Sequence, residues 1–364
     1  MSELDDAKED FDFENHRLQA IEKYQRVRPM YENYSNAIRN VLKEAFITKS
    51  IKIHSIEARA KEIDSFGDKA STPSPDDPHK PHYQNPLSDI TDLTGVRVIV
   101  FFQNTLDIVD RIIREQFDII EKSDKTQDLL KEEKFGYGSI HYLVRLNNSR
   151  AKLLEYNKFA GLIAEIQIRT ILQHSWAEIE HDIQYKAIET IPSTIRRRFL
   201  SLAGLLEIAD REFQAIQDED EKLRNEARIS VTEGKLDKVE ITPDALKTYL
   251  DKKMGPDGRM KEFSYQWTAK LLLRLGFTDF QEIDECISNY DDNKLNGILW
   301  ATRQGQLSRF EYILLAGMGD NFIKYHIWEN QEWFVKRNRE YIEQFKGAGI
   351  LVGSYLPSSR RSAE

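Results

Sequence analysis

The sequence predicts an α+β fold: a mixed β-sheet flanked by helices, followed by an all-α C-terminal domain. Three observations carry this. VRVIVFF (96–102), SIHYLVRL (139–146) and GLIAEIQIR (161–169) are apolar or strictly alternating, the pattern of buried and half-buried strands. Helical stretches separate some strands while others follow closely on one another, which suits helices packed on one sheet. Beyond about residue 240 only stretches of helical period follow.

In chain order, residues 12–48 read as helices: Leu18, Ile21, Tyr24 and Val27, then Ala37, Val41 and Leu42, recur at helical spacing, and Pro29 is expected to break the run. SIKIHSIE (50–57) reads as a short strand, with a helix over about 58–70. The prolines of STPSPDDPHKPHYQNP (71–86) forbid regular structure, so this is a loop or flap. After the strand at 96–102 come a helix near 105–115 and a strand at FDIIEKS (117–123). The two alternating strands follow, then a helix over about 170–186 and, past Pro192, a long helix over about 194–229. Pro243 opens the C-terminal helices, where Trp267, Leu271, Leu272 and Leu275 form an apolar stripe. Further helices are expected near 281–289, 292–302, 306–317 and 332–345.

The expected organisation is N-terminal helices (1–49) on a catalytic α+β domain (50–215), a helical linker (216–242), a helical accessory domain (243–352) and a flexible tail (353–364). With 364 residues, 40% hydrophobic and 31% charged, the chain has the size and composition for two globular domains. No apolar run approaches the roughly 20 residues that span a bilayer, and the acidic N-terminus lacks the apolar stretch of a secretory signal. A cytoplasmic protein without a membrane partner is therefore expected. The single cysteine, Cys286, excludes an intrachain disulfide and argues against a cysteine zinc site. A net charge of −9 argues against a general nucleic-acid binder. Arg196, Arg197 and Arg198 form the densest basic cluster, either a solvated helix face or a local binding patch.

Four segments carry chemistry. In AEIQIRT, period-two geometry puts Glu165, Gln167 and Arg169 on one strand face, with Ala164, Ile166 and Ile168 against the core. Lined-up polar groups of this kind suggest a cleft; the alternative is an ordinary exposed sheet face. In DITDLTGVRVIVFF, Asp92 and Arg97 flank Gly95 where a buried strand begins. Asp92 can hold Mg²⁺, which prefers carboxylate and phosphate oxygens, or simply cap a turn. In ARAKEIDSFGDK, Lys61, Ser65 and Lys69 recur every four residues, with Arg59 ahead of them. On a helix they share a face that suits a polyphosphate or plain solvent. In KFGYGSIHYLV, Gly136 and Gly138 permit close backbone approach around Tyr137, which is placed to stack on a base. Ser139 and His141 share the face opposite Ile140, Tyr142 and Val144.

In this order the patterns R-x-K-x-x-x-S-x-x-x-K, D-x-x-G-x-R, G-Y-x-S-x-H and E-I-Q-I-R-T, continued by HSWAEIEHDIQYK (174–186), resemble the RelA/SpoT-type (p)ppGpp synthetase domain, in particular the small alarmone synthetases. The likeness covers roughly residues 50–190, with a helical extension after it. The resemblance implies a Mg²⁺-dependent pyrophosphokinase that moves the β,γ-pyrophosphate of ATP to the 3′-hydroxyl of GDP or GTP. It implies that Arg59, Lys61, Ser65, Lys69 and Arg97 hold ATP, and that Asp92 and Glu165 are catalytic and bind the metal. Tyr137, Ser139, His141, Gln167 and Arg169 would bind the acceptor. Because part of this family modifies the 3′ end of tRNA, a tRNA acceptor is the second reading, with the C-terminal domain as a restraint; an adenosine nucleotide ranks third. A catalytically inactive binding module is the reading from another class. The C-terminal helices would serve regulation, a partner or homo-oligomers. His181-Asp182 resembles the HD dipeptide of hydrolase relatives, but too few histidines precede the synthetase segment for such a domain. His174, Glu178 and His181 at i, i+4 and i+7 could suggest zinc, the alternative being a polar helix face.

Overall fold

The computed structural model describes residues 11–125, 138–185 and 193–361, excepting the side chains of 181–185, 193 and 196. It begins with helix α1, Phe13–Thr48, whose first turn is capped by the Asp12 carboxylate accepting from the Asn15 amide. Pro29 lies inside α1 and does not break it. A proline removes one backbone hydrogen bond and crowds the preceding turn, but tertiary contacts on both sides outweigh that. Tyr24 is fully buried and donates its hydroxyl to the Lys61 carbonyl at 2.8 Å; Tyr34, also fully buried, donates to the Leu162 carbonyl at 3.0 Å.

Strand β1 is Ser55–Ala60 and helix α2 is Ile63–Ala70. The strand is thus displaced toward the C-terminus from the expected 50–57, and the helix starts later than 58. Long-range pairing is the reason: β1 runs antiparallel to β2 (Thr94–Val100) from Ser55 opposite Ile99 to Ala60 opposite Thr94. Residues 71–85 form a loop with a single bridge, Pro73 to Pro81. Helix α3 (Gln103–Gln116), strands β3 (Phe117–Asp124), β4 (Ile140–Leu146) and β5 (Ala164–Thr170), and helices α4 (Ile171–Tyr185) and α5 (Ser193–Glu233) follow. The five strands make one mixed sheet, ordered β1-β2-β5-β4-β3, parallel only between β2 and β5.

Alternation gives this sheet two unlike faces. Val96, Val98, Val100, Tyr142, Val144, Ile166 and Ile168 pack against Tyr34, Ile38 and Leu42 of α1 and Val109, Ile112 and Ile113 of α3. The intervening residues, Glu57, Arg59, Arg97, His141, Glu165, Gln167 and Arg169, belong to the opposite face.

Contacts divide the chain into residues 1–216 and 217–364. The second unit contains α6 (Pro243–Met254), α7 (Glu262–Leu275), α8 (Phe280–Ile287), α9 (Asp292–Leu299), α10 (Gln306–Met318), α11 (Asp320–Tyr325) and α12 (Glu332–Gly347). The Thr242, Asp279 and Asp291 side chains cap α6, α8 and α9, and Gly276, left-handed at φ 106°, ends α7. Two expectations are corrected here. The stretch 216–242 is not merely a linker, because Ala227, Val231, Val239 and Ile241 are buried in the helical core. The tail expected to be flexible, 353–364, is tied down as far as Arg361. The Gly353 and Tyr355 amides donate to the Ala316 and Gly317 carbonyls, Ser359 Oγ donates to the Gly276 carbonyl, and a one-turn helix spans Ser358–Arg361. Among the described residues no helix is long and apolar enough to cross a membrane.

Candidate active site

The polar sheet face carries a connected chain of side chains. Ser139 Oγ lies 2.6 Å from His141 Nε2, and His141 Nδ1 lies 2.7 Å from Glu165 Oε1. Gln167 Nε2 donates to the other carboxylate oxygen of Glu165 at 3.0 Å, and Arg169 Nη2 donates to Gln167 Oε1 at 2.8 Å. The antiparallel register that sets His141 opposite Gln167 brings the groups together across β4 and β5. A carboxylate can only accept, so His141 carries a proton on Nδ1, and in the neutral ring Nε2 accepts from Ser139. Burial acts to raise the Glu165 carboxyl, but the hydrogen bond and charge of His141 outweigh it and hold it below the ordinary range.

A second cluster meets this chain across β2. Asp92 Oδ2 receives Lys61 Nζ at 2.8 Å and Lys69 Nζ at 3.1 Å. Burial again acts to raise this carboxyl, and the two ammonium groups win, leaving it depressed. Its other oxygen, Oδ1, is buried without a hydrogen-bond partner. Lys61 is anchored through its backbone: its amide donates to the Leu93 carbonyl, and its carbonyl accepts from Tyr24 and Arg28 of α1. Lys69 is placed by α2, which lies so close to α1 that a Cβ on Gly67 would stand 2.6 Å from the Ile21 side chain.

Between the clusters lies a cleft of about 300 Å³ lined by Arg59, Lys61, Asp92, Arg97, Glu165 and Gln167, with Glu57 at its side. Arg97 Nη1 is 2.8 Å from Glu178 Oε1 and 3.8 Å from Glu57 Oε2. Burial and the nearby Arg97 charge both lower the Arg169 guanidinium, whose Nε is buried without a partner. Two guanidinium groups set against each other, one incompletely hydrogen-bonded, are relieved by an anion.

The structure therefore gathers Asp92, Glu165, Arg59, Lys61, Arg97 and Gln167 at one cleft, with Lys69 joined through Asp92 and Ser139, His141 and Arg169 through the polar chain. It alters one expected arrangement. Arg59 is on β1 and Lys61 lies between β1 and α2, so only Ser65 and Lys69 occupy the helix. Ser65 is exposed and does not line the cleft. Tyr137 and Gly136 lie outside the described residues, as does the His181 side chain. His174 is 3.9 Å from both Glu57 and Glu178, and no metal-holding group of three His, Cys, Asp or Glu exists among the described residues. Glu57 was missed in the sequence; its alternation with Arg59 on β1 was the available signal, hidden by placing the strand too early.

Comparison with known proteins bears on this same segment. Residues 58–190 match the family model of the region found in RelA / SpoT proteins. The matched segment includes the cleft residues from Ala58 onward and the polar chain. Over 131 residues the chain is 30% identical to GTP pyrophosphokinase YwaC of Bacillus subtilis (strain 168), covering 36% of this chain and 59% of that protein. Over 138 residues it is 26% identical to GTP pyrophosphokinase YjbM of the same organism, covering 36% and 60%. The chain thus spans about three fifths of the length of these relatives. Among solved structures, small alarmone synthetase 1 from Bacillus subtilis aligns with a TM-score of 0.45 at 23% identity, covering 55% of this chain and 98% of that one.

Proposed function

We propose that the protein is an ATP-dependent pyrophosphokinase that makes (p)ppGpp from GDP or GTP. The observation that carries this is the meeting, at one cleft of the RelA/SpoT region, of a carboxylate held by two lysines with a carboxylate held by a histidine. The similarity to two GTP pyrophosphokinases supports the acceptor class.

The reaction asks little covalent work of the protein. The acceptor 3′-oxygen attacks the β-phosphorus of ATP, the bond from that phosphorus to the α,β-bridging oxygen breaks, and AMP leaves with that oxygen. Catalysis of such transfers rests on alignment and on neutralising charge. Arg59, Lys61, Lys69 and Arg97 supply cations for the triphosphate. Glu165, ionised and oriented by the hydrogen bonds from His141 Nδ1 and Gln167 Nε2, takes the proton of the attacking hydroxyl. Gln167 fixes the second oxygen of Glu165, and Arg169 in turn fixes Gln167. Tyr137 would stack on the acceptor base.

The donor set fits Mg²⁺. Asp92 offers a buried, unpartnered oxygen and Glu165 lines the same cleft, a hard-oxygen pair of the kind this ion takes together with phosphate oxygens. When bound, the ion would neutralise charge on the phosphates.

The test is transfer of label from γ-labelled ATP with Mg²⁺, with GDP, GTP and deacylated tRNA offered in parallel. Label on GDP or GTP, lost in Glu165→Ala, is the expected result. Label on tRNA alone would replace the acceptor, with Arg197 and Arg198 as candidate contacts. No transfer to any acceptor would leave the binding-module reading.

A further inference from the structure

Strand β5 runs directly into helix α4, and the joint turns the chain back toward its own polar face. Thr170 and Gln173 close that turn reciprocally. The Thr170 amide donates to Gln173 Oε1 at 2.8 Å, and the Gln173 amide donates to Thr170 Oγ1 at 3.2 Å. Past the turn, α4 presents His174 and Glu178, spaced i, i+4 and hence on one side of the helix.

Arg97 and Arg169 share the polar sheet face on neighbouring strands, and the charge of one disfavours the charge of the other. Glu178 answers both. It accepts from Arg97 Nη1 at 2.8 Å and is the foremost opposite charge acting on Arg169. Glu57 adds a weaker contact at 3.8 Å from the same nitrogen. A carboxylate of the chain itself thus takes the place that two guanidinium groups offer to an anionic ligand.

Two features make this contact exchangeable. The Glu178 side chain is 54% exposed, so it can turn to solvent, and an ion pair this exposed is weak. His174 Nδ1, buried without a hydrogen-bond partner, lies 3.9 Å from the same Glu178 oxygen that Arg97 holds. A second partner therefore stands ready when Arg97 leaves. We propose that Glu178 is a tethered competitor of the substrate: phosphate displaces it from Arg97, it passes to His174, and its hold on Arg97 sets how tightly the cleft binds ATP. The part played by ATP rests on the function proposed above, whereas exchange at Arg97 requires only an anion. Apparent affinity falls by the fraction of molecules in which Arg97 is not free.

Calorimetric titration of the full chain tests this with two probes, inorganic pyrophosphate and a non-hydrolysable ATP analogue with Mg²⁺. Glu178→Ala should tighten pyrophosphate binding about threefold or more. Removing any nearby negative charge would also favour an anion, so the deciding comparison is made in an Arg97→Ala chain, where the gain from Glu178→Ala should largely disappear. His174→Ala should weaken pyrophosphate binding only while Glu178 is present; a loss that persists without Glu178 would overturn the hand-over. An unchanged or weakened affinity in Glu178→Ala, an equal gain in the Arg97→Ala chain, or no pyrophosphate binding by any of these chains would each overturn the inference. The analogue separates this inference from the proposed function. If pyrophosphate follows the expected pattern and the analogue binds to no chain, the exchange stands and ATP as donor falls.

Discussion

The sheet unit and the helical unit both bury polar side chains, but to different ends. In the sheet unit the buried Ser139 and the half-buried His141, Glu165, Gln167 and Arg169 bond to one another beside a cleft. In the helical unit several buried polar side chains serve the backbone. Arg309, fully buried, donates to the Gln304 and Asp257 carbonyls and pairs with Asp292. Gln306 donates to the Gly255 carbonyl, and Asn296 accepts from the Gln304 amide and donates to the Thr302 carbonyl. Polar burial alone therefore does not mark a site. Groups that satisfy loop carbonyls hold a fold together, whereas groups that satisfy each other beside a cleft remain available to exchange partners with a ligand.

Four measurements break or sharpen this contrast. The largest effect should come from Glu165→Ala, which on the proposed chemistry lowers pyrophosphoryl transfer by about 10²–10⁴-fold while leaving the thermal transition in place. A large loss of stability instead would move Glu165 to the structural class. Next is Arg309→Ala, which strands Asp292 and the two carbonyls. Removing one partner of a buried ion pair costs roughly 3–5 kcal/mol, and urea unfolding should show it. Four of the five tryptophans, Trp267, Trp300, Trp328 and Trp333, belong to the helical unit and only Trp176 to the sheet unit, so tryptophan fluorescence reports mainly the helical unit. Arg97→Ala is the control; an equal loss of stability there would erase the distinction.

Third, single buried carboxyls in the two units should shift stability with pH in opposite directions. The Asp92 and Glu165 carboxyls are depressed, so the unfolded chain binds their protons more readily. Their stabilisation is complete above the ordinary carboxylate range, near 4, and is lost as pH falls through it. Burial instead pushes Glu311 on α10 up to about 7, against the Arg337 charge. Its contribution is present in acid and lost as pH rises from the ordinary range toward about 7. In the same window burial lowers the His326 imidazole to about 4, which makes stability rise with pH. Glu311→Gln should therefore steepen the climb of the fluorescence-detected urea midpoint between pH 5 and 8, and an unchanged profile would remove Glu311 as a source of the opposing decline. Smallest is Arg26→Ala on α1. Its exposed pair with Glu22 is worth less than about 1 kcal/mol, so a larger shift in melting would show that this helix tolerates less than supposed.

Local pattern made much of the site legible. Alternation alone placed Glu165, Gln167 and Arg169 together, because strand geometry has period two whatever the strand pairs with. Elements decided by distant partners were not legible in the same way. Lys61 was assigned to a helix because the end of β1 depends on pairing with β2, about 35 residues away in sequence. Pro29 looked like a stop because proline's cost is local, whereas the hydrogen bonds that offset it reach Lys61 and Leu162. The closing segment looked frayed because it is polar, yet its amides find carbonyls of Ala316 and Gly317. That Asp92 would gather both Lys61 and Lys69 needed the packing of α2 on α1, which no single segment encodes.

The bond from Tyr34 to Leu162 has a further consequence, for synthesis. Its ends are 128 residues apart. At roughly 5–20 residues per second, a ribosome makes the acceptor on the order of ten seconds after the donor. Helix α1 emerges before the sheet it packs on, and its buried face stays open until β5 has been made. During that interval the nascent chain carries an apolar helix awaiting its sheet, which makes this stretch of translation the period in which a chaperone would have most to hold.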